Sequence, residues 1–162
     1  GVRAMWRGIL AAVAGLALAF GVIFVIQFVG QFVYPPPETI RAAAAKGDFA
    51  AVNQAIADWL PTAPLGALII PPLSWVTGTF LGTLAAAAIA GRNRFLYAGI
   101  VGGLALAATI ANLVQIRHPT WMAVAGLVGV PLAAVAGAMI APRGQPAGPR
   151  PFDMREKNMA CK

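Results

Sequence analysis

Few side chains in this chain could carry out chemistry. The sequence has one histidine, His118, one cysteine, Cys161, and five carboxylates: Glu38, Asp48, Asp58, Asp153 and Glu156. Hydrolysis, redox chemistry and group transfer need a nucleophile, a base or several metal ligands that converge in space. The topology derived below places His118 and Cys161 on opposite sides of a membrane, so these residues form neither a catalytic pair nor a metal cluster. We therefore expect a protein that is not an enzyme and has no metal or cofactor of its own.

The composition indicates a membrane protein. Of 162 residues, 59% are hydrophobic and only 10% are charged, whereas soluble domains have about 25% charged residues. A disordered chain would combine low hydrophobicity with high charge density. The net charge of +7 would suggest nucleic acid binding in a soluble protein, but here the positions of the charges report topology. Membrane lipids, and not nucleic acid, are the expected partners.

Four apolar segments contain no Asp, Glu, Lys, Arg or His: residues 8–34, 65–90, 95–116 and 120–141. Each is long enough to cross a bilayer, which takes about 20 helical residues. The sequence therefore predicts an all-α membrane protein with four transmembrane helices in a domain of residues 1–141. The links at 91–94 and 117–119 are short, so consecutive helices should pack antiparallel.

A polar segment, residues 38–60, separates the first two predicted spans. Three prolines at 35–37 end the first helix, because proline cannot donate a backbone hydrogen bond. Asp48 is a candidate N-cap, and one helical face after it carries Phe49, Val52, Ile56 and Trp59. This pattern predicts an amphipathic interfacial helix in the first outer loop. A helix packed against the protein's own loops is the alternative.

The distribution of basic residues predicts the orientation. With a cytoplasmic N-terminus, nine of the 12 Lys and Arg residues lie inside, and Arg41, Lys46 and Arg117 lie outside. Both termini are then cytoplasmic, including a basic, Pro-rich tail at residues 142–162. Trp6 on the inner side and Trp59 and Trp121 on the outer side fit interfacial anchors.

Small residues recur at every fourth position in three of the predicted spans. They are Gly78 and Gly82, then Gly99 and Gly103, then Gly129, Ala133 and Gly137. Such faces let two helix backbones approach closely. The spacing favours contacts inside the bundle for each set, with contact to another protein as the alternative.

Uncharged polar residues also lie within the spans. They are Gln27, Gln31, Ser74, Thr77, Thr79, Thr83, Thr109, Asn112 and Gln115. Interhelical hydrogen bonds are the favoured role, and the lining of a pore is the alternative. His118 is best interpreted as a turn residue, although a neutral imidazole in this position could ligate a haem or chlorophyll metal. Pigments or lipids could bind at the helix surface.

Several short motifs resemble a widespread family of small four-helix bacterial inner-membrane proteins of unassigned function. They are Tyr34-Pro35-Pro36, Leu60-Pro61, Pro64-Leu65-Gly66-Ala67-Leu68, Ala90-Gly91-Arg92, and Ala111-Asn112-Leu113 with His118-Pro119 and Trp121. The resemblance covers residues 8–141 and implies four helices and a bacterial inner membrane. It implies no catalytic residue.

Two functions follow from these features. The leading hypothesis is a non-catalytic accessory subunit that packs against a larger bacterial membrane complex, respiratory or photosynthetic, with the basic tail as a clamp. The alternative is a small homo-oligomeric channel or transporter for a neutral or weakly polar solute. A separate membrane-stress or lipid-interacting protein is a third hypothesis.

Overall fold

A computed structural model describes residues 2–142 of the chain, and this part is helical. Its six α-helices are α1 (Val2–Val33), α2 (Glu38–Ala45), α3 (Phe49–Trp59), α4 (Leu65–Ala90), α5 (Arg94–Gln115) and α6 (Thr120–Ile140). Helices α1, α4, α5 and α6 are long and apolar enough to cross a membrane. The all-helical fold with four candidate spans is therefore confirmed for the described residues. Cys161 and all of the predicted tail except Pro142 lie outside them.

The helix bounds follow the apolar segments closely, with two differences. Helix α4 has the same limits as the predicted span at 65–90, whereas α1 begins at Val2 and so includes the first two arginines. The segment at 38–60 forms two helices, because the chain turns at Gly47 with a φ of +68°. Asp48 is the N-cap of α3, as predicted, and its carboxylate accepts a hydrogen bond from the Ala51 amide at 3.0 Å.

Helix α4 is the centre of the bundle, since α1, α5 and α6 all pack against it. Helix α1 lies at the periphery against α4 and α5. Small side chains dominate the interior, including the fully buried Ala86 and Ala87 on α4. Larger side chains are completely buried at two places: Val101 on α5 packs with Ala19 on α1 and Ala86 on α4, and Val130 on α6 packs with Trp75 on α4 and Ala105 on α5.

Close backbone approaches explain the glycines on α4 and α6. A Cβ at Gly82 would lie 2.5 Å from the Gly15 carbonyl oxygen and 2.6 Å from the Ala19 Cβ on α1. A Cβ at Gly137 would lie 2.7 Å from the Phe80 carbonyl oxygen on α4. Since real Cβ atoms do not come this close to other atoms, only glycine lets these helices pack at the observed separation.

Two arginines close the bundle at the end opposite α2 and α3. Arg7 Nε on α1 donates to the Ile89 carbonyl at 2.6 Å, in the last turn of α4. An Arg94 guanidinium nitrogen on α5 donates to the Ala141 carbonyl at 3.1 Å, at the end of α6. The last carbonyls of a helix lack intrahelical donors and carry partial negative charge, so both contacts stabilise helix ends.

Candidate functional site

A cavity of about 420 Å³ lies at the end of the bundle that carries α2 and α3, which we call the capped end. Its walls come from the last turns of α1, the first turns of α4, the end of α5 and the start of α6. Helices α2 and α3 contribute the cover through residues such as Ile40, Val52 and Ile56. We refer to this space as the capped-end cavity.

Aromatic rings form much of the cavity wall. Tyr34, Trp59, Trp75 and His118 line it. Trp75 is only 7% exposed, and the His118 ring meets it edge to face with centroids 6.0 Å apart. The Tyr34 hydroxyl occupies the space that a side chain at Gly66 would need, so the glycine on α4 lets the tyrosine side chain approach that helix closely.

Asn112 and His118 are two of the polar residues that line the cavity. The Asn112 Oδ1 atom is buried and has no hydrogen-bond partner within residues 2–142. His118 Nδ1 lies 2.7 Å from the Ile116 carbonyl oxygen. Since a carbonyl can only accept, Nδ1 carries a proton in this contact. The buried Asn112 oxygen has almost no accessible surface, so a molecule in the cavity does not contact it in this arrangement of the side chains.

Two prolines remove backbone hydrogen-bond donors from α4 in the same wall. Pro71 and Pro72 lie within α4, and proline has no N–H to donate to the carbonyl four residues earlier. The carbonyls that lose this donor belong to Ala67 and Leu68, and both residues line the cavity. Both carbonyls therefore lack the donor that they would have in an uninterrupted helix.

The capped-end cavity opens at one end of the bundle and stops within it. Its lining residues farthest from the cap are Gln27 on α1, Trp75 on α4 and Asn112 on α5. Helix α4 continues from Trp75 to Ala90 without contributing to it. The space therefore has the form of a one-sided pocket.

Polar side chains deeper in the bundle bond mainly to their own helices. Thr83 donates to the Thr79 carbonyl at 2.7 Å, and Thr109 donates to the Ala105 carbonyl at 2.9 Å. Gln27 Nε2 instead reaches another spanning helix, because it donates to Ser74 Oγ on α4 at 3.1 Å. Gln115 accepts from Asn53 on α3 at 3.4 Å, and Gln31 is an exposed lining residue of the cavity.

The small residues of α5 present a second candidate surface. Gly99 and Gly103 are exposed, and nothing lies within 4 Å of an ideal Cβ at either position. Gly102 packs inward instead, where a Cβ would lie 2.5 Å from that of Ala134 on α6. Contact inside the bundle, which the spacing favours, is therefore not what the structure shows for Gly99 and Gly103.

The other predicted small residues lie inside the bundle. A Cβ at Gly78 would lie 2.6 Å from the Ala19 carbonyl oxygen, and one at Gly129 would lie 2.7 Å from Val76. Ala133 is buried at 7% exposure. The three tryptophans predicted to be interfacial anchors lie at opposite ends of the bundle: Trp59 and Trp121 at the capped end, and Trp6, 58% exposed, near the start of α1.

The sequence analysis missed some residues of the outward α5 row and of the capped-end cavity. The outward row on α5 continues with the exposed Ala107 and Ala111, and the same four-residue spacing could have identified them. The capped-end cavity has no comparable signal, because Tyr34, Trp75 and Asn112 meet only after the helices assemble. Within residues 2–142, no three His, Cys, Asp or Glu side chains are grouped so that they could hold a metal ion.

Comparison with protein-family models, curated proteins and solved structures finds no match to this chain. The resemblance to small four-helix bacterial membrane proteins therefore stays a prediction. The structure itself supports a multi-pass membrane protein with four candidate spans.

Proposed function

We propose that the protein is a non-catalytic accessory subunit that packs against a larger complex in a bacterial inner membrane. The observation that carries this proposal is the outward face of α5, defined by Gly99, Gly103, Ala107 and Ala111. All four residues are exposed, and the space beside both glycines is empty. We call this surface the α5 small-residue face.

Other glycines of the bundle contact a neighbouring helix, unlike those of the α5 small-residue face. Gly78, Gly82, Gly129 and Gly137 each lie against a neighbouring helix of the same chain. Helix association in lipid depends on close packing, because lipid tails are as apolar as leucine side chains. A smooth face with no neighbour therefore suits a helix of another protein, while the remaining exposed surface of leucine, valine and phenylalanine suits lipid.

The proposed orientation places both termini in the cytoplasm and the capped end outside, as the basic residues predict. The basic tail then lies on the cytoplasmic side, where it would contact acidic groups of the partner complex or anionic lipid headgroups. A respiratory or photosynthetic complex is the proposed partner, and any pigments or lipids at the interface would be shared with it.

The experiment compares two substitutions on α5 that introduce the same leucine side chain. Gly103→Leu fills the α5 small-residue face, whereas Ala108→Leu adds the same side chain at an exposed position outside it. The tagged chain is purified in a gentle detergent, and co-migrating proteins are identified. We expect Gly103→Leu to lose its partners and Ala108→Leu to keep them, while both bundles remain folded.

Two results would contradict the proposal. Equal recovery of partners with both variants would show that the α5 small-residue face contacts lipid only. A homo-oligomer that contains no other protein and conducts a neutral solute in vesicles would support the channel alternative instead.

A further inference from the structure

The end of the bundle opposite the capped end carries basic charge without acidic compensation, and we call it the arginine end. Within residues 2–142 its basic residues are Arg3, Arg7, Arg92 and Arg94. The carboxylates of the same part of the chain all lie at the capped end, at Glu38, Asp48 and Asp58. Because like charges repel one another, an anion bound at the arginine end would lower the electrostatic energy there.

Arg7 keeps most of its guanidinium group available for such an anion. Its Nε atom donates to the Ile89 carbonyl at 2.6 Å, which uses one of the five N–H groups of an arginine. Arg7 is exposed, and its two terminal nitrogens make no hydrogen bond within residues 2–142. A Cβ at Gly91 would lie 3.1 Å from Arg7 Nη2, so the glycine gives the guanidinium room beside the end of α4. The side chain is therefore held in place while its terminal nitrogens remain open to a ligand.

Arg94 supplies a second guanidinium group close to the same turn. The 3₁₀ turn Gly91–Asn93 joins α4 to α5, and because such a turn rises about 2 Å per residue, α5 begins about 6 Å beyond Gly91. A guanidinium nitrogen of Arg94 donates to the Ala141 carbonyl at 3.1 Å, and the guanidinium lies 4.8 Å from the centre of the Phe95 ring. This arginine is also held by a helix end, and no carboxylate of residues 2–142 pairs with it.

Both arginines lie where lipid headgroups meet the hydrocarbon. Arg7 directly precedes the first apolar segment and Arg94 directly precedes the third. Exposed apolar side chains lie beside them, since Leu10, one helical turn after Arg7, is 61% exposed and Phe95, in contact with Arg94, is 57% exposed. A phosphate group at the arginines therefore has apolar surface next to it for attached acyl chains, which favours a lipid over a free phosphate ion or an acidic peptide.

We propose that the arginine end binds the phosphate group of an anionic phospholipid, with Arg7 as the direct ligand and Arg94 as the second cation of the site. The planar guanidinium group matches two phosphate oxygens at once. The lipid supplies the negative charge that residues 2–142 lack at this end, and its acyl chains lie along α1 and α5. The site requires neither the α5 small-residue face nor the tail, and it is the same in either orientation of the protein.

Native mass spectrometry resolves the binding of individual lipids and tests this assignment. The purified full-length protein in a non-ionic detergent is titrated with phosphatidylglycerol or with phosphatidylcholine of the same acyl chains. We expect the first phosphatidylglycerol to bind about 25-fold more tightly than the first phosphatidylcholine, about fivefold for each arginine near the anionic headgroup. Glycerol 3-phosphate, which has the phosphate group without acyl chains, should not displace the lipid at an equal concentration.

Four variants locate the site on the protein. Arg7→Gln and Arg94→Gln should each weaken the first binding of phosphatidylglycerol about fivefold and leave phosphatidylcholine unaffected. Lys46→Gln removes an equal charge from an exposed position at the capped end and should change neither affinity. Replacing the Lys and Arg residues of the tail at 142–162 by glutamine should preserve the first binding of phosphatidylglycerol.

The circular dichroism spectrum and melting temperature show whether each variant is folded, and Arg94→Gln makes the same comparison if Arg7→Gln is unfolded. The proposal is overturned if the wild-type protein binds both lipids equally, or if the folded arginine variants retain the affinity of Lys46→Gln. Loss of the preference in the tail variant would assign the lipid to the tail instead. Displacement by glycerol 3-phosphate would show a site for free phosphate and would also overturn the proposal.

Discussion

Gln27 on α1 donates a hydrogen bond to Ser74 Oγ on α4 at 3.1 Å, and Ser74 in turn donates to the Pro71 carbonyl at 2.7 Å. Ser74 is fully buried. The two bonds link the peripheral helix α1 to the proline-containing part of α4. They lie beside the capped-end cavity, which Gln27 and Pro71 both line.

This pair predicts a modest, measurable coupling between the two helices. We expect Ser74→Ala and Gln27→Leu each to destabilise the bundle, because each removes one partner of an interhelical bond. Such bonds in membranes contribute about 0.6 kcal/mol on average and at most about 2 kcal/mol. A double-mutant cycle on unfolding in mixed micelles should give a coupling energy in this range. Fully additive effects would show that the bond does not contribute.

Two glycine-to-alanine substitutions should differ in their effect on the stability of the bundle. Gly82→Ala adds one methyl group where the Gly15 carbonyl and Ala19 on α1 leave no room. We expect a loss of about 1–3 kcal/mol, the usual cost of overpacking. Gly103→Ala adds the same group to open space, and alanine favours the helix by up to about 1 kcal/mol.

Unfolding of the two alanine variants under identical conditions makes the comparison. Gly103→Ala should be as stable as the wild-type bundle or slightly more stable, and Gly82→Ala should be clearly less stable. Equal stability of the two variants would contradict the packing of α1 against α4.

The sequence predicts the long helices well and the surfaces between them poorly. Continuous apolar runs bounded by charges or prolines determine the spans, so the limits of α4 agree with prediction. The adjacent glycines Gly102 and Gly103 show where this approach fails. One packs against α6 and the other faces outward, and only the rotation of α5 in the assembled bundle decides which is which.

The capped-end cavity illustrates the same limit. Its lining residues come from all six α-helices and from the chain between them. Each residue has an ordinary explanation when considered alone, such as an interfacial tryptophan or a turn histidine. They line one cavity only because α2 and α3 lie over the end of the bundle. Periodicity along the chain does not specify that arrangement.

The proposed orientation predicts opposite accessibility for two thiols. Lys46 lies exposed beside the turn between α2 and α3, so a cysteine at this position in a Cys161→Ser background should react with a membrane-impermeant reagent in intact spheroplasts. Native Cys161, which lies outside the described residues, should react only after the membrane is opened. Labelling of Cys161 in sealed spheroplasts would contradict a cytoplasmic C-terminus.

The tail offers a test of the accessory role that is independent of α5. Deleting residues 142–162 should leave the four-helix bundle inserted, because α1, α4, α5 and α6 are long and apolar enough to cross a membrane without the tail. The tail contains Arg143, Arg150, Arg155, Lys157 and Lys162 but only two acidic residues. These cations gain about 1 kcal/mol each near anionic lipid headgroups, or they pair with carboxylates of a partner protein. We therefore expect the truncated protein to lose co-purifying subunits during a moderate-salt wash that the full chain survives.

A second variant separates charge from length in the same experiment. Replacing the five tail cations by glutamine keeps the chain length and should reproduce the loss of partners, whereas a tail of unchanged charge and scrambled order should do so only if the partner recognises its sequence. Partner yields are compared by quantitative mass spectrometry after washes of increasing salt concentration. Undiminished yield from the truncated protein would refute the clamp and leave the α5 small-residue face as the basis of the proposed assembly.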